Sequence, residues 1–127
     1  MTRDETEAAG SNSPGGRARV YYRALDEDDY DLLRSILNQS FVHERPDMTL
    51  SGRDQFVRFM REERPVTDTT HVVDEVYRRD ADDGTDAGVA VRGRLLGPDG
   101  AELTGFVDVF SVEDTSIDRV RTYVDSV

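Results

Sequence analysis

The chain predicts an α+β domain in which a curved antiparallel sheet wraps three N-terminal helical segments. Three observations lead there. Apolar residues recur at helical spacing through the first half, interrupted once by a short alternating run. They then alternate at a period of two toward the C-terminus. The turn sequence Gly97-Pro98-Asp99-Gly100 separates two of those late runs, so the strands around it pair back as a hairpin. Helical segments first and strands last, within 127 residues, fit one domain with one core. A curved sheet folded over helices makes a cone that can hold a small apolar ligand.

The chain divides into a flexible polar tail, residues 1–16, and a single domain, residues 17–127. The tail is rich in Glu, Ser, Asn, Gly and Pro and lacks the apolar stretch of a secretory signal. The first helix starts near Arg17, with Val20, Tyr21, Ala24 and Leu25 on one stripe. The acidic run from Asp26 to Asp29 reads as solvated surface, and Asp28 or Asp29 can cap a second helix in which Leu33, Ile36 and Leu37 share a face. Phe41, His43 and Arg45 alternate with Val42 and Glu44 in a short strand that Pro46 ends. Ser51-Gly52-Arg53-Asp54 resembles the start of a third helix, with Phe56, Val57 and Met60 inward, Phe59 at the edge, and Pro65 blocking its continuation.

The strands follow. Val72, Asp74 and Val76 alternate with His71, Val73, Glu75 and Tyr77. A turn-rich break over residues 81–84 overlaps the acidic cluster from Asp80 to Asp83, read as solvated. Val89, Val91 and Leu95 mark the next strand. Beyond the turn, Leu103, Val107 and Val109 take one side and Phe106, Asp108 and Phe110 the other. The last strand spans about Ile117 to Val124.

Composition narrows the partners. The net charge is −11, every one of the 16 basic residues is Arg, and Asp outnumbers Glu about two to one. Lys-free, Asp-rich acidity fits a halophilic protein, because molar salt shortens the Debye length to about 3 Å and quiets repulsion among crowded carboxylates. High-GC codon usage in an ordinary acidic protein is the other reading. Such acidity argues against nucleic acid. No apolar run is long enough to span a membrane. There is no Cys, hence no disulfide and no thiolate metal site. The expectation is a cytoplasmic protein with no cofactor and no metal.

The text of the elements resembles the SnoaL-like branch of the nuclear transport factor 2-like superfamily. Tyr21-Tyr22-Arg23-Ala24-Leu25 with Leu32-Leu33-Arg34-Ser35-Ile36-Leu37 looks like its opening helices. Phe41-Val42-His43-Glu44-Arg45-Pro46 looks like its first strand, and Gly52-Arg53-Asp54-Gln55-Phe56 like the start of its third helix. Asp108-Val109-Phe110 and Arg121-Thr122-Tyr123-Val124-Asp125 look like its last two strands. The superfamily includes ketosteroid isomerases, polyketide cyclases, dehydratases and non-catalytic binding or assembly domains, so the fold leaves function open. The isomerases pair a helix-1 Tyr with a late-strand Asp as an oxyanion hole and use a first-strand Asp as base. Tyr21 and Asp108 match the first two. Arg45 falls at the base position, and a guanidinium cannot be a base at neutral pH. Glu44 next to it points to the opposite face.

The resemblance implies a small-molecule pocket protein, an isomerase, cyclase or hydratase acting by acid–base chemistry on an apolar oxygenated ligand. A non-catalytic dimer that binds a metabolite or a protein is the alternative. The catalytic candidates are His43, Asp108 and Tyr21, and the ligand-binding candidates are Phe41, Arg45, Phe56, Met60, Phe106 and Phe110. Asp108 between two Phe residues is desolvated, so its carboxyl is a candidate hydrogen-bond donor, or else the partner of Arg119 or Arg121. His43 reads as an acid or base, or as a core His with one hydrogen bond. Tyr21 and Tyr22 exchange roles with a small change of helix phase, and His71 reads as a rim or interface residue. The open face of the sheet implies a homodimer, with Val72, Val76 and the last strand near its interface.

Overall fold

The computed structural model describes residues 13–64, 67–80, 87–113 and 116–125. The elements run α1 (Pro14–Asp26), α2 (Tyr30–Ile36), β1 (Leu37–Glu44), β2 (Thr49–Ser51), α3 (Arg53–Glu62), β3 (Thr70–Arg79), β4 (Ala87–Leu96), β5 (Glu102–Glu113) and β6 (Ser116–Val124). Three helices lie against one six-stranded curved sheet of order β2-β1-β6-β5-β4-β3. Every pairing is antiparallel except β1 with β6, which is parallel. This gives the expected α+β cone with one additional short strand, β2.

Local chemistry explains the boundaries. Helix α1 starts at Pro14 rather than near Arg17, because Ser13 accepts a hydrogen bond from Gly16 N–H at 3.1 Å and Pro14 takes a first-turn position that needs no N–H. Residues 13–16 therefore belong to the domain. The remainder of the expected tail, residues 1–12, lies outside the described residues, as do Pro65 and the expected break at 81–84. Asp29 caps α2 by accepting from Leu32 N–H at 3.1 Å. Leu37 leaves the helix and opens β1. At α3 the cap is Gly52, with φ +95°, and the Gln55 side chain reaches back to Ser51 N–H at 2.7 Å. The Gly97–Gly100 turn closes β4 onto β5, with Gly100 N–H bonded to Gly97 O at 2.9 Å and Gly100 at φ +85°.

The core fills the concave side of the sheet. Phe41, Phe56, Phe110, Leu33, Ile117, Val89, Val91 and Val120 are its largest fully buried side chains. In β3 the two-residue alternation fails. A register shift between Val73 and Glu75 turns both Val73 and Val76 toward the core, Val76 lying near Gly15 of α1. Val76 is therefore not on the outer face, where the dimer expectation put it. That face carries Tyr77, Val109 and Tyr123, all exposed; Leu103, expected there, lies beside a register shift of the β4–β5 pair and lines the concave side instead. It is also laced with ion pairs, Arg92 with Glu75, Arg94 with Asp74, and Arg119 and Arg121 with Glu44. Among the described residues no helix is long and apolar enough to cross a membrane.

Candidate functional site

The concave face holds a cavity of about 460 Å³ between the sheet, α1 and the loop after β1. Leu25, Met60, Leu95, Leu103, Phe106 and Val124 give it mostly apolar walls. Phe106 can lie across the sheet because Gly93 sits beneath it; a Cβ there would come within 2.8 Å of the ring and 2.4 Å of Val72 O. Four polar side chains on its lining belong to one cluster: His43, His71, Asp108 and Thr122.

Asp108 is the centre of that cluster. On β5 it stands between Phe106 and Phe110, opposite Val91 of β4 and Thr122 of β6. It is 6% exposed. Tyr22 Oη donates to its Oδ2 at 2.7 Å, and Thr122 Oγ1 to its Oδ1 at 2.5 Å. Burial raises its pKa, while the Thr122 and Tyr22 hydrogen bonds and the neighbouring His71 pull it back. Among the described residues no arginine pairs with it: Arg119 and Arg121 bind Glu44 on the other side of the sheet, and Arg45 pairs with Asp47 at 3.2 Å while lying over the Phe59 ring.

The helix-1 hydroxyl on Asp108 comes from Tyr22, not Tyr21. Both are buried and both rings meet Phe110 of β5, but one step along the helix is about 100°, so only Tyr22 brings its hydroxyl to Asp108. Tyr21 lines the cavity and stacks on Phe56 with ring centroids 6.1 Å apart. Burial, then the charge of Asp108, raises the pKa of both, so both remain hydroxyls.

His43, on β1, reaches the same network. Its Nε2 lies 2.8 Å from Thr122 Oγ1, its ring meets Phe56 edge to face, and its Nδ1 is buried without a hydrogen-bond partner. Burial, with Arg45 adding to it, lowers its pKa to about 3, so the ring is neutral at working pH. A group so hard to protonate is a poor free acid or base.

The second pair was not visible in the sequence. His71 is the second residue of β3, and the Asp26 carboxylate at the end of α1 takes both of its nitrogen groups on that side: Nδ1 at 2.6 Å from Oδ1, and the backbone N–H at 2.9 Å from Oδ2. This leaves Nε2 for a ligand. The ring lies 5.0 Å from that of Tyr22 and 5.7 Å from that of Phe106. Asp26 is thus a structural partner and not solvated surface, while Asp28 and Asp29 stay exposed. Asp28 holds Arg64, another cavity residue, at 3.0 Å.

Of the expected ligand contacts, Arg45, Met60 and Phe106 line the cavity. Phe41, Phe56 and Phe110 do not; they are completely buried in the core, Phe41 of β1 against Phe56 of α3 and Phe110 of β5 against the two tyrosines of α1. Among the described residues no group of three or more His, Cys, Asp or Glu is arranged to hold a metal ion.

Comparison with known proteins agrees with this architecture. No curated protein matches the sequence. A ketosteroid isomerase candidate from Kribbella flavida is 20% identical, with 94% of this chain and 80% of that one covered at a TM-score of 0.72. A polyketide cyclase candidate from Sinorhizobium meliloti is 18% identical, with 90% and 98% covered at 0.71. A nuclear transport factor 2-like protein of unknown function from Cytophaga hutchinsonii is 14% identical, with 89% and 90% covered at 0.72. At these identities the likeness is one of fold. The SnoaL-like domain family matches residues 18–120, most of the chain, and the protein belongs to that family.

Proposed function

We propose that the protein is an acid–base enzyme of the isomerase, cyclase or hydratase kind, acting on a small apolar ligand that carries oxygen. One observation carries the reading: two proton-exchanging groups with separate supports, Asp108 under Tyr22 and Thr122, and His71 held by Asp26, line the same cavity. A carboxylate that fixes one ring nitrogen of a histidine orients the other toward its substrate. A desolvated carboxyl on the same cavity is a second proton-exchanging group, and two such groups are what is needed to remove a proton at one atom and return one at another. The cavity volume is in the range of small-molecule sites, which favours ligand chemistry over a closed assembly domain.

The test needs no known substrate. A panel of enones, diketones and hydroxylated aromatic ketones is incubated with the protein in D2O, and exchange at carbons next to the carbonyl is followed by proton NMR. Exchange above the buffer rate is expected with at least one compound. Asp26→Asn and Asp108→Asn should each slow it at least about tenfold, about 1.4 kcal/mol of barrier. Exchange that is unchanged in both variants would leave these residues as architecture and the protein as a binding module.

We also propose that the outer face of the sheet pairs two copies, through Tyr77, Val109 and Tyr123 rather than Val76. Sedimentation at micromolar concentration should give the mass of a dimer, and Tyr123→Asp should give a monomer.

A further inference from the structure

We propose that His43 is a positioning residue: it fixes the direction of the hydrogen bonds through Thr122, so that Asp108 meets the ligand as a hydrogen-bond acceptor. This deepens the function proposed above and rests on Asp108 being one of its proton-exchanging groups. Three bonds are involved, His43 Nε2 to Thr122 Oγ1 at 2.8 Å, Thr122 Oγ1 to Asp108 Oδ1 at 2.5 Å, and Tyr22 Oη to Asp108 Oδ2 at 2.7 Å.

Thr122 has one proton, so it can donate to only one neighbour. If it donates to Asp108, His43 must donate through Nε2–H, and the buried Nδ1 is a bare lone pair. If it donates to His43, Asp108 must carry a proton on Oδ1, and His43 carries its hydrogen on Nδ1. That nitrogen is buried with no protein partner, and a buried N–H without an acceptor is costly. The imidazolium, which would carry both hydrogens, is excluded by burial. The first order is therefore the stable one.

The order has a chemical consequence. Both carboxylate oxygens accept, one from Thr122 and one from Tyr22, and because Asp108 lines the cavity a ligand there meets an acceptor. The ligand group seated there is a donor, a hydroxyl or an acidified C–H, and not a carbonyl oxygen. The other groups facing Asp108 do not reverse this: Tyr21 and Tyr22 of α1 stay protonated, His71 of β3 favours the carboxylate, and Val91 of β4 is apolar.

Nitrogen-15 NMR of the histidines in the intact protein decides the matter without substrate, and so separately from turnover. The expected result at neutral pH is a neutral His43 with hydrogen on Nε2. Finding it on Nδ1 overturns the proposal, whether or not D2O exchange is seen. The Asp108 pKa, read from its carboxyl carbon, should rise by at least about one unit in Thr122→Val and in His43→Phe. Thr122→Ser should restore it. A pKa unmoved in folded Thr122→Val also overturns the proposal. Should that variant fail to fold, the wild-type tautomer alone decides.

Discussion

The two faces of this sheet use the same acidic side chains in opposite ways. On the outer face Glu44, Asp74 and Glu75 sit in water beside arginines, which hold their pKa values below the ordinary carboxylate range. On the inner face Asp108, one strand position away from the exposed Val109, has no arginine partner among the described residues, and burial pushes its pKa upward. Strand alternation alone separates the two environments. The difference teaches that charge on this protein is a surface property, while its buried carboxyl is shaped by exclusion of water and by neutral hydroxyl donors.

Acid should expose the contrast most strongly. His43 is neutral when folded, with a pKa of about 3, against 6.5 for an ordinary histidine. The unfolded chain takes up a proton below 6.5 that the folded chain refuses, so stability is complete above that pH and falls as pH drops toward 3. The full loss is on the order of 5 kcal/mol. Asp108 acts in the opposite sense, because its raised pKa lets the folded state keep a proton longer than the unfolded one as pH rises. Denaturant midpoints measured from pH 7 to pH 4 in wild type and His43→Phe check this: the wild type should fall steeply and the variant less so. Parallel curves would remove His43 from the account.

Packing comes next. Phe110 is completely buried and meets both Tyr21 and Tyr22 edge to face. Phe110→Ala should cost about 3–5 kcal/mol in urea unfolding. A loss below about 1 kcal/mol would mean that the inner face tolerates gaps and that its carboxyl is less well sealed than its surroundings indicate.

The outer face should respond least to mutation and most to salt. Arg94 grips Asp74 with two hydrogen bonds, each 3.0 Å, but both partners are open to solvent. Arg94→Gln should leave the unfolding midpoint nearly where it was. Melting temperature should instead rise from dilute buffer to molar KCl as repulsion among the acidic residues is screened. A flat salt profile would remove the halophile reading of the composition.

How far the sequence could foretell this depends on the range of each signal. Alternation along β5 placed Phe106, Asp108 and Phe110 on one face, and the helix-3 stripe placed Phe56, Val57 and Met60 inward, because both patterns are local. The phase of β3 was not legible, since the irregularity between Val73 and Glu75 leaves no mark in residue type. His71 and Asp26 stand 45 residues apart, and each looked ordinary alone, one at the start of a strand and one in an acidic run. A threonine in a strand carries no signal of its own, so Thr122 is legible only through its partners His43 and Asp108. Tyr21 and Tyr22 were both in view, and only the packed helix tells which of them meets Asp108.

The parallel pairing of β1 with β6 has a consequence for how the molecule is assembled. In the sheet formed by the described residues, β6 joins β1–β2 to the β5–β4–β3 meander. While the chain is being synthesised, the two parts of the sheet stay unjoined until residues 116–124 have emerged, and the contact that then forms between His43 and Thr122 closes a span of 79 residues. Local helices and the β4–β5 hairpin can form early, but so long a closure is slow. The cavity is therefore among the last features to exist, and until the final strand docks the nascent protein exposes an aromatic face to whatever chaperone meets it.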